Sequence, residues 1–307
     1  MKKRNNFVAA TSIGPAANII FNIIIAIISI CCIYPMIFVF MISISSESAI
    51  GIHGFKLIPS TFSGAGYSAV LQIGGAQLLQ SYLVSICVTV VGTGLGIIIM
   101  SLFAYAISRQ DFKYRKFFTW VALVPMFFSG GFVPTYLINT QVLKFNNHFW
   151  ALIIPGLAST MYILILRTYF KNSIPPGLVE AARIDGADEF KIYYKIVMPL
   201  AKPVIATLSL LMAIGYWGDW YTPFLYITKN SLTPLQALLY SMQQNIQFIA
   251  NNAALAQNPT LAVLAKNMPT QTTQMAIVVL ATIPIACAYP FFQRYIISGM
   301  TVGGIKE

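Results

Sequence analysis

Apolar residues run through this chain in long blocks separated by short polar stretches, with no sustained alternation of period two. The block from Ile19 to Ile42 is long enough, at about 1.5 Å per helical residue, to cross a hydrocarbon core roughly 30 Å thick. Similar blocks run from Leu78 to Ile107, Phe117 to Ile138, Phe149 to Phe170, Pro203 to Ile227 and Met275 to Ile297. They predict an all-α polytopic membrane protein whose six transmembrane helices occupy residues 19–297, with an N-terminal segment at 1–18 and a tail at 298–307. Two longer polar stretches fall on one side: 43–77, rich in Ser and Gly, and 228–274, rich in Asn, Gln and Thr, with a helix expected around Leu235 to Ala256. The short loop from Arg109 to Lys116 and the charged segment 171–202 fall on the other. Gly130, Gly131 and Pro134 interrupt the third block, Pro155 and Gly156 the fourth, and Pro284 and Pro290 the sixth. Such breaks are tolerated where neighbours or a water-filled cavity satisfy the freed backbone groups, and most are simple kinks. Gly92 and Gly96 in the second block have the spacing that lets helices approach closely.

Composition removes the soluble classes. The chain is 57% hydrophobic and 9% charged, against about a quarter charged for a globular protein. The basic start (Lys2, Lys3, Arg4) ahead of an apolar run has the outline of a signal peptide. The run is too long for one and ends without a small-x-small cleavage site, so it reads as an uncleaved first span. Of the 19 Lys and Arg, only Lys56, Lys144, Lys229 and Lys266 fall on the side of the long polar stretches. Basic residues favour the cytoplasmic side, which places both termini and residues 171–202 in the cytoplasm of a cell whose inner membrane the chain crosses. The net charge of +11 is then explained by anionic lipid at that face, with no nucleic-acid partner. Cys31, Cys32, Cys87 and Cys287 lie in apolar blocks without a CxxC pair and read as small buried hydrophobes, with no disulfide or metal role.

Chemistry-bearing motifs are few. There is no GxxxxGK[ST], so the chain holds no P-loop for ATP; there is no HExxH and no GxSxG, and no metal or cofactor set is expected. Asp219 is the one acid within a block, about 24 Å along a helix that starts at Pro203, in the outer third of the membrane. An intramembrane carboxylate is a functional candidate, although at that depth it can equally be hydrated or paired. Trp217, Trp220, Tyr221 and Phe224 would share one face of that helix at i, i+3, i+4, i+7. A sugar ring stacks on such a cluster, and an ordinary interfacial aromatic belt has the same composition.

The stretch Glu180 to Pro199 stands apart, holding four of the eight acids (Glu180, Asp185, Asp188, Glu189) together with Arg183, Lys191 and Lys195. Pro175 and Pro176 suit a helix start. Gly186 can end the first helix with φ > 0, Asp188 can cap a second, and Phe190, Tyr193, Tyr194 and Val197 would line one face of it. A helix–turn–helix with an apolar stripe needs a cover, supplied either by its own bundle or by another protein. Glu180-Ala181-Ala182, then Gly186, Ile196 and Pro199, resembles the EAA signature of the permease subunits of binding-protein-dependent ABC importers, with Met198 where Leu is usual. Leu57-Ile58-Pro59, Phe103 to Arg109 and Gly299 to Lys306 extend the resemblance to the second permease of the sugar-importing branch, and Gly131 to Tyr136 to its polysaccharide-oligosaccharide subset.

The resemblance implies a type I ABC importer permease fold with a cytoplasmic EAA coupling loop. It further implies a second, homologous permease subunit, two ATP-binding cassette subunits that bind the ATP, an extracytoplasmic solute-binding protein and a carbohydrate substrate. Glu180, Ala181, Ala182 and Gly186 would dock the ATPase, with Ile196 and Pro199 shaping the return to the membrane; Trp217, Asp219, Trp220 and Tyr221 are the candidates for the substrate path. The competing readings are a permease for a non-sugar solute and a secondary carrier. A carrier would show coupling-ion residues or repeat symmetry at the midplane, and one lone acid with no evident repeat speaks against it. A membrane enzyme would need a catalytic constellation, which is absent from the sequence.

Overall fold

A computed structural model describes residues 15–251 and 270–302. They form helices: α1 (Pro15–Ser43), α2 (Glu47–His53), α3 (Ala65–Ser108), α4 (Arg115–Phe127), α5 (Phe132–Leu137), α6 (Thr160–Ser173), α7 (Pro176–Ile184), α8 (Glu189–Ile192), α9 (Lys202–Gly218), α10 (Tyr221–Tyr226), α11 (Leu235–Asn251) and α12 (Thr270–Val302). Among the described residues the only β pairing is an isolated bridge between Ser45 and Phe62. Three helices are long and apolar enough to cross a membrane alone: Ala17–Ser43, Gly74–Ser108 and Thr270–Pro290. Three bent pairs bring the total to as many as six. The fold class expected from the hydropathy pattern is the one observed.

The breaks in the third and fourth blocks are deeper than kinks, whereas α12 runs unbroken through Pro284 and Pro290. The third block divides into Arg115–Phe127 and Phe132–Val142, bent by 116°, because Gly131 takes φ 83 and opens a new helix. The fourth begins in two 3-10 turns before α6, with a bend of 53°. The fifth ends as a helix at Gly218, where Asp219 turns to an extended ψ of 106, so it does not continue to Ile227. In the first polar stretch α2 is helical, and so is the piece of α3 from Ala65, which a non-helical Gly75 at φ 48 sets off from the span proper. That span runs Gly74–Ser108, close to the expected start at Leu78. The helix expected to Ala256 is described to Asn251; the rest of that stretch to Pro269, the N-terminal segment up to Gly14 and the tail from Gly303 lie outside the described residues.

Contacts divide the chain into two units, Met1–Gln72 with Gln247–Leu280, and Ile73–Ile246 with Ala281–Glu307. In the first, the Glu47 carboxylate accepts from the backbone N–H groups of Gln271 and Thr272 at 2.9 and 3.0 Å and from the hydroxyls of Thr270 and Thr272 at 3.2 and 2.9 Å. It thus satisfies the free N–H groups that open α12. The second unit holds the main apolar cluster, with Met100, Ile153, Leu166, Ile192 and Val197 fully buried. Here the close approach expected at Gly92 and Gly96 is present. A Cβ on Gly92 would sit 2.6 Å from Cζ of Tyr216, and one on Gly96 would sit 2.8 Å from the Leu157 carbonyl oxygen and run into Met212. The four cysteines are exposed rather than buried. Hydropathy cannot separate the lipid-facing side of a span from its protein-facing side, since lipid is as apolar as a core.

Candidate functional site

Residues 171–202 fold as the local signals dictate. Pro175 takes an extended ψ of 130 and Pro176 opens α7. Gly186 ends it at φ 76, a backbone region that L side chains rarely adopt. Asp188 caps α8, its carboxylate accepting from the Lys191 N–H at 2.8 Å. Beyond Ile192 the backbone widens into a π-helical turn, Tyr193–Val197. That turn corrects the expected stripe. Widening shifts the phase, so Tyr193 and Val197 are buried while Phe190 and Tyr194 are 74% and 75% exposed. The inner face of the loop is instead Ile174, Val179, Ile192, Tyr193 and Val197. Each such residue, fully buried, contributes roughly 1.5–3 kcal/mol, so packing is what holds the loop onto its own bundle.

The outer face is also apolar. Leu178, Ile184, Phe190 and Tyr194 are 43%, 86%, 74% and 75% exposed around the Gly186 turn. Glu180 and Ala181 are exposed beside them, whereas Ala182 and Ile196 lean on the core and Pro199 lies exposed in the return. Between the faces runs a group of charges that the sequence reading passed over. Arg183 donates through Nε to Glu189 at 2.9 Å and through Nη2 to both Glu189 and Asp111. The Tyr105 hydroxyl donates to the other oxygen of Glu189 at 2.7 Å, and Arg109 lies 3.7 Å from Asp111 with its guanidinium over the Tyr105 ring. Partial burial pushes the Asp111 carboxyl up, but hydrogen bonds from Arg183 and its own backbone and the two nearby guanidinium charges outweigh it and hold it below its usual range. Glu189 is likewise raised by burial and lowered further by Tyr105, Arg183 and Arg109, ending below its usual range. Glu189 and Asp111 in turn hold the Arg183 guanidinium above its ordinary value. With side chains 39–49% exposed, such pairs contribute about 1 kcal/mol or less each; they set direction where packing supplies the strength. A signal was available, since Asp111 is the single acid in an otherwise basic loop and Ser101, Tyr105 and Arg109 recur every fourth residue.

The second group of candidates is not one face. Trp217 is buried on α9, donating its indole N–H to the Ala281 carbonyl at 3.0 Å. Asp219 accepts from the N–H groups of Tyr221 and Thr222, both at 3.0 Å, and so caps α10. Trp220 stacks on Tyr240 of α11 with centroids 4.2 Å apart, and Tyr221 lies against Phe132 at 6.2 Å. Because the helix breaks at Asp219, the i, i+3, i+4, i+7 relation does not apply. Trp220, Phe224, Tyr240, Gln244 and Asn245 instead border a groove of about 270 Å³. Among the described residues no three His, Cys, Asp or Glu stand together as metal ligands.

Residues 88–302 match the family described as "Binding-protein-dependent transport system inner membrane component". The chain is 35% identical over 275 residues to the polygalacturonan/rhamnogalacturonan transport system permease protein YtcP of Bacillus subtilis, covering 90% of this chain and 93% of that one. It is 25% identical to the arabinooligosaccharides transport system permease protein AraQ of Halalkalibacterium halodurans, covering 95% and 98%. It also superposes with a TM-score of 0.76 and 30% identity on a chain of a bacterial ABC transporter involved in the import of the acidic polysaccharide alginate, covering 91% and 95%.

Proposed function

This chain belongs to the inner membrane components of binding-protein-dependent transport systems, and on that premise we propose that it forms half of the translocation pathway of an ATP-driven carbohydrate importer. It is a transport subunit and not an enzyme. It pairs with a second permease, ATP is hydrolysed by two cassette subunits, and an external binding protein delivers an oligosaccharide. The names of the three relatives described above, each a component of a transport system for a sugar polymer or oligomer, support that substrate class. Both termini lie in the cytoplasm, supported by the distribution of Lys and Arg.

One observation carries the coupling role: the loop is packed on its inner face and apolar on its outer one, around Leu178, Ile184, Phe190 and Tyr194. An apolar patch on a water-facing turn marks an interaction site, and Glu180, Ala181, Ala182 and Gly186 place it within the EAA spacing. Ile184→Asp with Phe190→Asp removes ATPase co-purification and oligosaccharide uptake while the permease pair still assembles. Gly186→Val does the same by another route. Its added Cβ meets nothing within 4 Å, so its cost is the backbone strain of φ 76, roughly 1–3 kcal/mol. Normal ATPase association in both variants would overturn the reading.

For the substrate path, the groove beside Trp220 supplies a ring face from the Trp220–Tyr240 stack and amides from Gln244 and Asn245, the two kinds of group a sugar needs. Asp219→Asn keeps the capping oxygen and removes the charge, and Trp220→Ala removes the ring. Lower uptake with intact assembly places them on the path; wild-type uptake in both assigns them to cap and belt.

A further inference from the structure

The coupling loop, which continues from α6, is joined to its unit of the membrane domain at two further places. Covalently it runs into α9 through a bend of 80° between Glu189–Leu200 and Lys202–Gly218. Non-covalently it meets the cytoplasmic end of α3, where Ser101 and Tyr193 share a hydrogen bond at 2.7 Å, Tyr105 bonds Glu189 at 2.7 Å, and Asp111 just beyond pairs with Arg183. Ser101 and Tyr105 are one helical turn apart and so lie on one face. Farther along, α3 and α9 touch each other directly, where Gly92 and Gly96 admit Tyr216 and Met212. Loop, α3 and α9 therefore close a triangle. Two rods joined at one end bend at the joint; a closed triangle changes an angle only by breaking a side.

Within that triangle Arg183 has a distinct place. Tyr193 and Glu189 belong to the second half of the loop, whereas Arg183 belongs to α7, the helix that carries Glu180 and Ala181. Its planar fork reaches a carboxylate on α8 and another in the loop after α3 at once, which the point charge of a lysine does not do. Next to it lies a cavity of about 510 Å³ bordered by Leu102, Ala106, Phe112 and Phe190, open space into which a released loop can rock. We propose that Arg183 is the positioning residue that stiffens this triangle, so that a displacement imposed on the loop reaches the second and fifth spans instead of being absorbed at the Gly186 turn and the Ala201 bend. The proposal rests on residues 171–202 being the ATPase-docking loop.

The test uses the complete importer in liposomes, with its sister permease, ATPase subunits and binding protein. Arg183→Gln and Asp111→Asn cut the same contact from opposite ends. Buried Val179, Ile192 and Val197 still hold the loop in place, so ATPase co-purification and basal hydrolysis stay at wild-type levels. Stimulation by substrate-loaded binding protein falls roughly tenfold, inside the range usual for coupling between distant sites, with an unchanged concentration for half-maximal stimulation. Arg183→Lys loses less, and the exchange Arg183→Asp with Asp111→Arg, which returns one cation between two carboxylates, recovers most of the stimulation. Full stimulation in both single variants overturns the proposal. So does loss of ATPase co-purification in Arg183→Gln, which makes Arg183 a direct docking contact and leaves the docking reading standing. Unchanged ATPase docking in Ile184→Asp with Phe190→Asp defeats the docking reading itself, and the role of Arg183 with it.

Discussion

At the scale of single residues, the glycines of α3 separate close packing from mere flexibility. Gly92 and Gly96 have the four-residue spacing of a close approach and Gly94, between them, does not; a Cβ on Gly94 meets nothing within 4 Å while one on Gly96 meets the backbone oxygen of Leu157. A flexible side chain yields to such a methyl and a carbonyl does not. Gly96→Ala is therefore expected to destabilise the detergent-solubilised protein by about 1–3 kcal/mol, and Gly94→Ala to leave the thermal unfolding midpoint where it is. Equal midpoints in the two variants would show that the contact between α3 and the backbone at Leu157 is loose. Gly92 belongs with Gly96, because the Tyr216 ring it faces is pinned by a hydrogen bond to the Ile153 carbonyl at 2.8 Å.

At the scale of elements, the segment 171–202 is legible in the sequence where its signals are local and illegible where they are not. Pro176, Gly186 and Asp188 each act on their own backbone, and helix start, turn and cap all stand where those residues predict. The π-helical turn does not announce itself. Nothing in Tyr193-Tyr194-Lys195-Ile196-Val197 demands it, and it brings Tyr193 onto Ser101, a partner 92 residues away in sequence. The aromatic face around Trp220 failed for a related reason: a helical periodicity was extended through Asp219, which prefers to cap. The charged quartet has a pH signature of its own. Asp111 and Glu189 are both held below their usual range in the docked loop, so the docked form binds fewer protons than a detached one. Their contribution is complete at neutral pH, begins to fall as pH drops into the ordinary carboxylate range near about pH 4, and is gone once pH lies below the depressed values of the docked form. Spin labels at Gln110 and Asp185 should keep their separation on acidification until that lower window, and Asp111→Asn should flatten part of the change. A transition near about pH 6.5, the ordinary histidine range, would mean that other groups hold the loop.

At the scale of the whole molecule, six apolar blocks made the helical fold and its membrane setting plain, because length and hydropathy alone decide them. The sharp reversal after α4 was not plain, since Gly130 and Gly131 permit a bend without stating its angle. Orientation is the property most easily checked. On a background lacking the four native cysteines, a cysteine at Lys144 or Lys229 should react with an impermeant maleimide from outside intact cells, and one at Lys113 only after permeabilisation. The reverse pattern would invert the topology and put residues 171–202 out of reach of any cytoplasmic ATPase. The quartet at the base of α3 has one more consequence. Arg109 and Arg183 carry two positive charges and Asp111 and Glu189 two negative ones. Displacing a unit charge through the full membrane field exchanges about 2.3 kcal/mol per 100 mV; displacing a neutral group exchanges none. If the joint swings in the transport cycle as proposed, the quartet itself carries no net charge through the field, and a collapsed membrane potential takes nothing from its part of the motion.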